Sequence, residues 1–277
     1  MYPVFFQLGG VTVRAYAFML SLAYLSGMFF TAWRAKKRGL DQRVVYDVSF
    51  YAVLAGILGA RLLYALQHAD AFRDNLTAIV NPFAGSTLGI EGFSLFGGAA
   101  GAIAGATLFF KLKKIPILLY ADAAAPSFGL IIFFIKTGCF LNGCCYGVPV
   151  QGKLGVTFPA ASPAGQYQLS INAIHLFPVQ LLHASAGILL FLICIIAGRK
   201  KIFPGFELYL AGLLYFTMNF FIDFYRVYPD QNQFVFFSYN QIASIVLFIL
   251  FATLLFQGAY QRRQAVSTDN TIYLKKS

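Results

Sequence analysis

The chain has 277 residues, of which 59% are hydrophobic and 11% are charged, and its mean hydropathy is +0.69. This composition excludes an ordinary soluble domain and indicates an integral membrane protein that is solvated mainly by lipid. The formal net charge of +11 is explained by membrane topology and by attraction to anionic lipid head groups, so we expect no nucleic-acid partner.

Apolar segments, taken in chain order, predict an all-α polytopic membrane fold. Residues 2–13 are apolar and aromatic but too short to cross a bilayer, so we expect them at its outer interface. Stretches of roughly 20 residues, enough to cross the hydrocarbon, follow at 15–33, 47–66, 92–110, 117–136, 178–197, 205–225 and 236–257. They predict about seven transmembrane helices. Arg61 interrupts the second stretch and the third is rich in Gly and Ala, so small residues should let these helices pack closely.

The basic residues predict the orientation of these helices. Fifteen of the 21 Lys and Arg residues lie in 34–43, 111–114, 199–201 and the tail from residue 262. Because cytoplasmic loops carry an excess of Lys and Arg, the N-terminus should be outside and the C-terminus inside. We therefore predict a single transmembrane domain over residues 1–260, with an outward-facing insert near 137–177, and a cytoplasmic tail over 261–277.

The segment 135–147, with the sequence IKTGCFLNGCCYG, begins at the end of the fourth apolar stretch and continues directly beyond it. Its glycines permit positive φ angles and close backbone approach. Asn142, Cys144, Cys145 and Tyr146 offer hydrogen bonds or nucleophiles. A lipid-facing span does not need this chemistry, so we place the candidate site here.

The cysteines and histidines leave several interpretations open. Cys144, His68 and His183 all lie on the predicted outward side, where an imidazole that lowers a thiol pKa would create a nucleophile. Packing at the bilayer interface explains the same residues. Cys139 could instead form a disulfide with Cys144 or Cys145. The adjacent Cys144 and Cys145 lack the separated spacing of a zinc site, so we expect no metal and no cofactor.

Charged residues within or beside the apolar stretches form a second group of candidates, because an unpaired charge is expensive there. Arg61, Lys136 and Arg226 lie in the outer halves of their spans and could hold a lipid phosphate. Alternatively, Asp122 and Asp223 pair with these cations and tie helices together. Lys136, beside the Gly-rich segment, is the cation that we expect to contact a ligand.

Seven separate segments follow one another in an order that carries a family resemblance. They are 14–16, 59–64, 92–98, 136–147, 177–181, 223–226 with 229–230, and 240–241. Together they resemble the phosphatidylglycerol:prolipoprotein diacylglyceryl transferases. That resemblance implies a seven-helix enzyme of the bacterial inner membrane, which moves a diacylglyceryl group from phosphatidylglycerol to the lipobox cysteine of a secreted precursor and releases glycerol phosphate. The residues expected to bind the substrate are Tyr16, Arg61, Gly97, Gly98, Lys136, Asn142, Gly143, Asp223 and Arg226.

Four positions depart from the family pattern. The histidine of a His-Gly-Gly motif is replaced by Phe96, which cannot exchange a proton. The Arg and the Glu of a Gly-Arg-x-Gly-Asn-Phe-x-Asn-Gly-Glu pattern are replaced by Lys136 and Cys144. The Arg that begins an Arg-Phe-x-x-Glu-Phe-x-Arg pattern is replaced by Asn219. A proposed base and two guanidinium groups are therefore missing.

The favoured hypothesis is the family reaction or a close variant, with Cys144, His183 or His68 in place of the missing base. Its partners would be phosphatidylglycerol or another anionic phospholipid and a secreted prolipoprotein, and its location a bacterial plasma membrane that the chain crosses several times. One alternative is a lipid-modifying transferase with a different acceptor, in which Cys144 is the nucleophile. The other is a non-catalytic membrane protein that binds lipid or a partner.

Overall fold

The computed structural model describes residues 4–8, 11–72, 93–152, 154–200, 202–228, 233–234 and 236–274. Its longest elements are helices α1 (Ala15–Lys37), α2 (Gln42–Gln67), α4 (Leu95–Lys113), α5 (Ile117–Asn142), α7 (Val179–Ala197), α8 (Phe206–Asp223) and α9 (Tyr239–Leu274). Short helices are α3 (Ala69–Phe72), α6 (Pro163–Ser170) and a 3₁₀ turn at Gly198–Lys200. Antiparallel hairpins are formed by β1 (Val4–Leu8) with β2 (Val11–Arg14) and by β3 (Gln233–Phe234) with β4 (Phe237–Ser238).

The prediction of an all-α polytopic membrane protein is confirmed. Each predicted apolar stretch falls on one of the seven long helices of the described chain. Five of those helices, α1, α2, α5, α7 and α9, are both long and apolar enough to cross a membrane. Residue 92 of the third stretch and residues 229–230 of the resemblance lie outside the described residues. The orientation across the membrane stays a prediction.

The chain forms two compact units, one of Met1–Arg34 with Ala121–Ser277 and the other of Ala35–Tyr120. One domain over residues 1–260 with a separate tail stays a prediction, and α9 continues through the predicted tail as far as Leu274. The amino-terminal segment, expected at the interface, pairs with itself as the β1–β2 hairpin.

Close packing of the second and third predicted spans is confirmed within the second unit. A Cβ on Gly59 of α2 would lie 2.9 Å from Cα of Gly101 on α4. A Cβ on Gly97 would collide with the backbone oxygen of Gly59. The two backbones therefore meet directly. In lipid, helices associate through close packing and not through a hydrophobic force, and glycine permits that close approach.

A buried ionic group joins helices of the first unit. The Arg34 guanidinium donates to the Glu207 carboxylate at 2.7 Å and to the backbone oxygens of Asp122 and Ala123 at 3.1 and 3.2 Å. The Asp122 carboxylate accepts from the backbone N–H groups of Gly205, Glu207 and Leu208 at 2.7 to 3.1 Å. Asp122 thus caps the amino terminus of α8. Within the part of the chain that the structure describes, Asp122 forms no ion pair with Lys136 or Arg226, which was the pairing that we considered.

The insert after α5 is held by a small core of its own. Phe158, Ala164 and Leu176 are buried together. The buried Gln168 amide donates to the carbonyl of Ile174 at 3.0 Å and accepts from the N–H of Phe158 at 2.8 Å. These contacts satisfy backbone groups that lie outside regular structure, and they give the turn after α5 a fixed support.

Candidate functional site

Helix α5 continues to Asn142, six residues beyond the predicted end of the span, so Lys136 and Cys139 lie on its last turns. Gly143 then adopts a φ of +69°. Its N–H donates to the carbonyl of Phe140 at 3.2 Å, and the N–H of Cys144 donates to the carbonyl of Cys139 at 3.0 Å. These bonds form a Schellman motif, which places the residue after the glycine against the residue four before it. Cys144 is thereby folded back onto Cys139.

The next residue adds a third sulfur to this pair. Cys145 has a φ of +55°, which is uncommon for a residue with a side chain. The Sγ atoms of Cys139, Cys144 and Cys145 lie within 4.8 Å of one another, and we call these three residues the thiol cluster. Cys139 is buried, while the other two are partly exposed. None of them forms a disulfide in the structure, so the pairing that the sequence left open is absent here.

Hydrogen bonds from other elements fix the turn that carries the cluster. The fully buried Gln180 of α7 donates its amide N–H to the carbonyl of Cys144 at 2.8 Å. Gly147 donates to the carbonyl of Phe177 at 3.1 Å and forms a β-bridge with Arg226. The turn is therefore anchored both to the start of α7 and to the chain that follows α8.

A guanidinium group lies against the cluster. Arg226 Nη2 is 3.6 Å from Cys145 Sγ, within the range of an N–H···S hydrogen bond. Its guanidinium carbon lies 4.7 Å from the centre of the Tyr228 ring. Arg226 Nε is buried without a hydrogen-bond partner among the described residues. The side chain thus keeps donor capacity beside the sulfurs.

The pKa of the Cys145 thiol is lowered from its ordinary value. Hydrogen bonds from Cys139 and Cys144 are the main cause, and they outweigh the opposing effect of burial. The positive charges of Arg226 and Lys136 lower it further. Of the three thiols, Cys145 is therefore the one that these neighbours stabilise as a thiolate.

Asp223, at the end of α8, is a buried acceptor for hydroxyl groups. It accepts a hydrogen bond from Tyr228 at 2.5 Å and another from Ser238. Asn240 in turn donates to the Tyr228 oxygen at 2.6 Å. In the described residues the Asp223 carboxylate forms no ion pair with Arg226, contrary to the pairing that we considered. The carboxylate instead holds the start of α9 against the end of α8.

His183 is buried on α7 with both ring nitrogens in contact with protein groups. Nδ1 is 3.1 Å from the carbonyl of Val179, and Nε2 is 3.3 Å from Oδ1 of Asn219. Asn219 also donates to Ser244 Oγ at 2.9 Å. An imidazole that is engaged on both sides has no lone pair directed at a substrate. The role of His183 as a base stays a prediction, and in this structure both ring nitrogens face protein oxygen atoms.

The remaining predicted residues of the first unit lie close to α5. Tyr16 occupies the first turn of α1, and Gly138 packs against it: a Cβ on Gly138 would lie 3.4 Å from Cδ2 of Tyr16 and 2.9 Å from Cβ of Met19. Asn142 is the last residue of α5, and Gly143 follows it directly. Tyr16, Lys136, Asn142, Gly143 and Cys144 are thus grouped in one part of the unit.

The second unit contains the other predicted residues. The guanidinium carbon of Arg61 lies 5.3 Å from the ring centre of Phe72 and 5.9 Å from those of Tyr64 and Phe93. This aromatic surround is a favourable setting for a cation. The exposed His68 stacks on Tyr64 with 4.2 Å between ring centres, and its Nδ1 is 3.0 Å from the Tyr64 carbonyl. Gly97 and Gly98 pack against α2.

A family model described as prolipoprotein diacylglyceryl transferase matches residues 3–257. A relative from Clostridium tetani, named phosphatidylglycerol–prolipoprotein diacylglyceryl transferase, is 31% identical over 232 residues, which are 84% of this chain and 88% of the relative. The chain belongs to the prolipoprotein diacylglyceryl transferase family. A relative of the same name from Listeria innocua is 27% identical over 251 residues, which are 90% of this chain and 86% of the relative. A relative from Clostridium perfringens, whose name carries the suffix 2, is 27% identical over 245 residues, which are 88% of this chain and 90% of the relative.

Within this prolipoprotein diacylglyceryl transferase fold, the positions that depart from the family pattern can now be described. Cys144 belongs to the thiol cluster, and Asn219 binds His183 and Ser244. Phe96 leaves 79% of its surface exposed on α4. The sequence placed Cys144 and Cys145 at the candidate site and considered Cys139 only for a disulfide with one of them. It did not predict a cluster of all three, because only the adjacent pair was compared with known metal spacings. The sequence signal for including Cys139 is Gly143, which lies four residues after Cys139 and one before Cys144. A glycine at that spacing can end a helix in a Schellman turn that brings the two cysteines together.

Proposed function

We propose that this multi-pass membrane protein transfers a diacylglyceryl group from phosphatidylglycerol to the cysteine thiol of a prolipoprotein in a bacterial inner membrane. The family match over residues 3–257 supports the reaction type. The observation that carries the proposal is the position of the thiol cluster and the Arg226 guanidinium, which meet beside the last turns of α5. Cations there suit a phosphate leaving group, and a site beyond a span suits a lipid head group.

The chemistry requires a thiolate, an electrophilic carbon and a stabilised leaving group. The acceptor thiolate attacks the glyceryl CH₂ that is bonded to the phosphate oxygen, a C–S bond forms, and the C–O bond breaks. The electron pair stays on the phosphate, which leaves as glycerol phosphate. Lys136 and Arg226 would neutralise the charge that develops on this leaving group, and such stabilisation is commonly a large part of catalysis.

Phe96 cannot remove the proton of the acceptor thiol, and His183 has both nitrogens engaged. Of the other two candidates that the sequence offered, His68 lies in the second unit, and Cys144 belongs to the thiol cluster beside Arg226. A direct attack by Cys144 on the glyceryl carbon would instead leave a thioether on the protein itself. A thioether has no good leaving group for a second displacement, so that product would end the reaction. We therefore assign the cluster to activation or positioning and not to a covalent intermediate.

A transfer assay tests this function. Purified protein in phosphatidylglycerol bilayers is incubated with a lipobox peptide, and a peptide with serine in place of the acceptor cysteine serves as the control. We expect a thioether-linked product with the cysteine peptide alone. Lys136→Met should lower the rate by roughly 10²- to 10³-fold, the cost of removing one donor that stabilises developing charge.

Lys113→Met, on the last turn of α4, is the matched control for loss of a positive charge, and it should keep the parent rate. Absence of product from the parent protein with active lipid and peptide would contradict the proposed reaction. Equal rates for the two lysine variants would contradict the role assigned to Lys136 and leave the reaction itself standing.

A further inference from the structure

The thiol cluster has the dimensions of a metal site. Its three Sγ atoms lie within 4.8 Å of one another. In a tetrahedral zinc site, Zn–S bonds of about 2.3 Å separate neighbouring sulfurs by about 3.8 Å. Small rotations of the cysteine side chains bridge that difference, because the backbone of the Schellman turn already directs Cys144 onto Cys139.

The charge around the cluster also suits a bound cation. Three thiolates carry three negative charges, which a partly buried site cannot hold without compensation. A divalent ion reduces this to a single negative charge, and the Arg226 guanidinium 3.6 Å from Cys145 Sγ matches it. Gln180 supplies a second support, since it binds the carbonyl of Cys144. Such outer partners orient metal ligands and tune their affinity.

Exposure indicates where a fourth ligand would enter. Cys139 is 5% exposed, whereas Cys144 and Cys145 are partly exposed. A metal bound by the three sulfurs would thus be closed on the side of α5 and accessible on the side of the turn. Zinc sites with three protein ligands and one open position are the catalytic type, while structural sites are closed by four.

We propose that Cys139, Cys144 and Cys145 hold a Zn²⁺ ion whose open fourth position binds and ionises the acceptor thiol; this inference rests on the transfer reaction proposed above. On binding, the acceptor thiol releases its proton to water, because a thiol that coordinates zinc is deprotonated. The bound thiolate attacks the glyceryl CH₂ and the C–O bond to phosphate breaks. The resulting thioether is a weaker ligand than a thiolate and leaves the position free. No protein base is needed.

Metal binding is measured first, without lipid and without turnover. Full-length protein in detergent is stripped with a chelator under reducing conditions and titrated with Zn²⁺ in competition with a chromophoric chelator. We expect one equivalent to bind. Cys139→Ala, Cys144→Ala and Cys145→Ala should each weaken binding by more than the roughly 10- to 100-fold that loss of an outer partner costs. Cys194 is a buried cysteine of α7 outside the cluster. Cys194→Ala is therefore the matched control, and it should bind Zn²⁺ like the parent protein.

Binding that is weak in the parent, or unchanged in all three cluster variants, would overturn the site. Retention of a disulfide among the three cysteines after reduction, detected by mass after alkylation, would do the same. Folding of each variant is checked by its elution as a single species and by its thermal unfolding midpoint. A cluster variant that matches the parent in both but has lost zinc confirms the site.

Co²⁺ substitution then tests the open position. Thiolate-to-cobalt absorption should change when the cysteine lipobox peptide is added and should not change with the serine peptide. If zinc binds and the spectrum responds but no thioether forms, the metal site stands and the proposed transfer fails. If transfer proceeds at the same rate in zinc-free protein, the transfer stands and thiol activation by zinc is refuted.

Discussion

Gly143 controls the geometry of the thiol cluster, and an alanine there should disrupt it. Its φ is +69°, and a Cβ would lie 2.7 Å from both Cβ and Oγ of Ser162. The left-handed conformation costs a residue with a side chain roughly 1–2 kcal/mol, and crowding in a packed site costs about 1–3 kcal/mol more. Gly143→Ala should therefore lower the free energy of unfolding by about 2 to 5 kcal/mol. The turn that carries Cys144 should shift with it.

A second substitution separates these two costs. Ser162→Gly removes both atoms that the new Cβ would meet, and a glycine in place of serine at the cap of α6 costs only about a few tenths of a kcal/mol. Gly143→Ala combined with Ser162→Gly should regain the crowding part and keep the cost of the positive φ. The assay is thermal unfolding in detergent, followed by the rate of diacylglyceryl transfer. An alanine variant as stable as the parent, or a double variant no better than Gly143→Ala, would refute this explanation.

Three further substitutions test other contacts. Glu207→Ala leaves the Arg34 guanidinium buried without its carboxylate, and we expect about 3–5 kcal/mol of destabilisation in chemical unfolding; a change below about 1 kcal/mol would show that the carbonyl partners suffice. Gly59→Leu should separate α2 from α4 and lower the yield of folded protein, whereas unchanged yield would contradict direct backbone contact. Gln180→Met leaves the Cys144 carbonyl without its donor and should lower the free energy of unfolding by about 1–3 kcal/mol. It should also weaken zinc binding, measured by chelator competition, and an unchanged zinc affinity would show that Gln180 does not support the site.

Sequence reasoning predicted the helices well, because the requirement to cross hydrocarbon leaves a long apolar run few alternatives. The close contact between α2 and α4 was also readable, since Gly59 and Gly97 allow backbones to meet. Helix α5 extends six residues past the apolar stretch that predicted its span. Polar residues suggested that the span stopped at Lys136, but a helix continues past the membrane until its carbonyl groups find other partners, and here that happens at Gly143.

Long-range polar contacts were beyond the sequence. Asp122 was considered as a partner for an intramembrane cation. The fold shows instead that its carboxylate caps α8 and accepts from the N–H of Gly205, 83 residues later in the chain. His183 was a candidate base because an imidazole exchanges protons and the residue lies on the predicted outward side. Its contacts with Val179 and Asn219 could not be read from the sequence. A side chain's chemistry can be read from the sequence, while its availability depends on which neighbours the fold supplies.

Two departures from the family pattern have one chemical explanation under the proposed mechanism. A thiol acceptor must lose its proton before it attacks. The family pattern has a histidine at the position of Phe96, and a phenylalanine cannot remove that proton. Zinc held by the thiol cluster would ionise the acceptor by coordination, which makes a separate base unnecessary. A cysteine in place of the family glutamate then acquires a purpose, because Cys144 supplies the ligand that the Schellman turn sets against Cys139. Under this mechanism, the loss at residue 96 and the gain at residue 144 would be parts of the same change, from proton abstraction to metal activation of the same nucleophile.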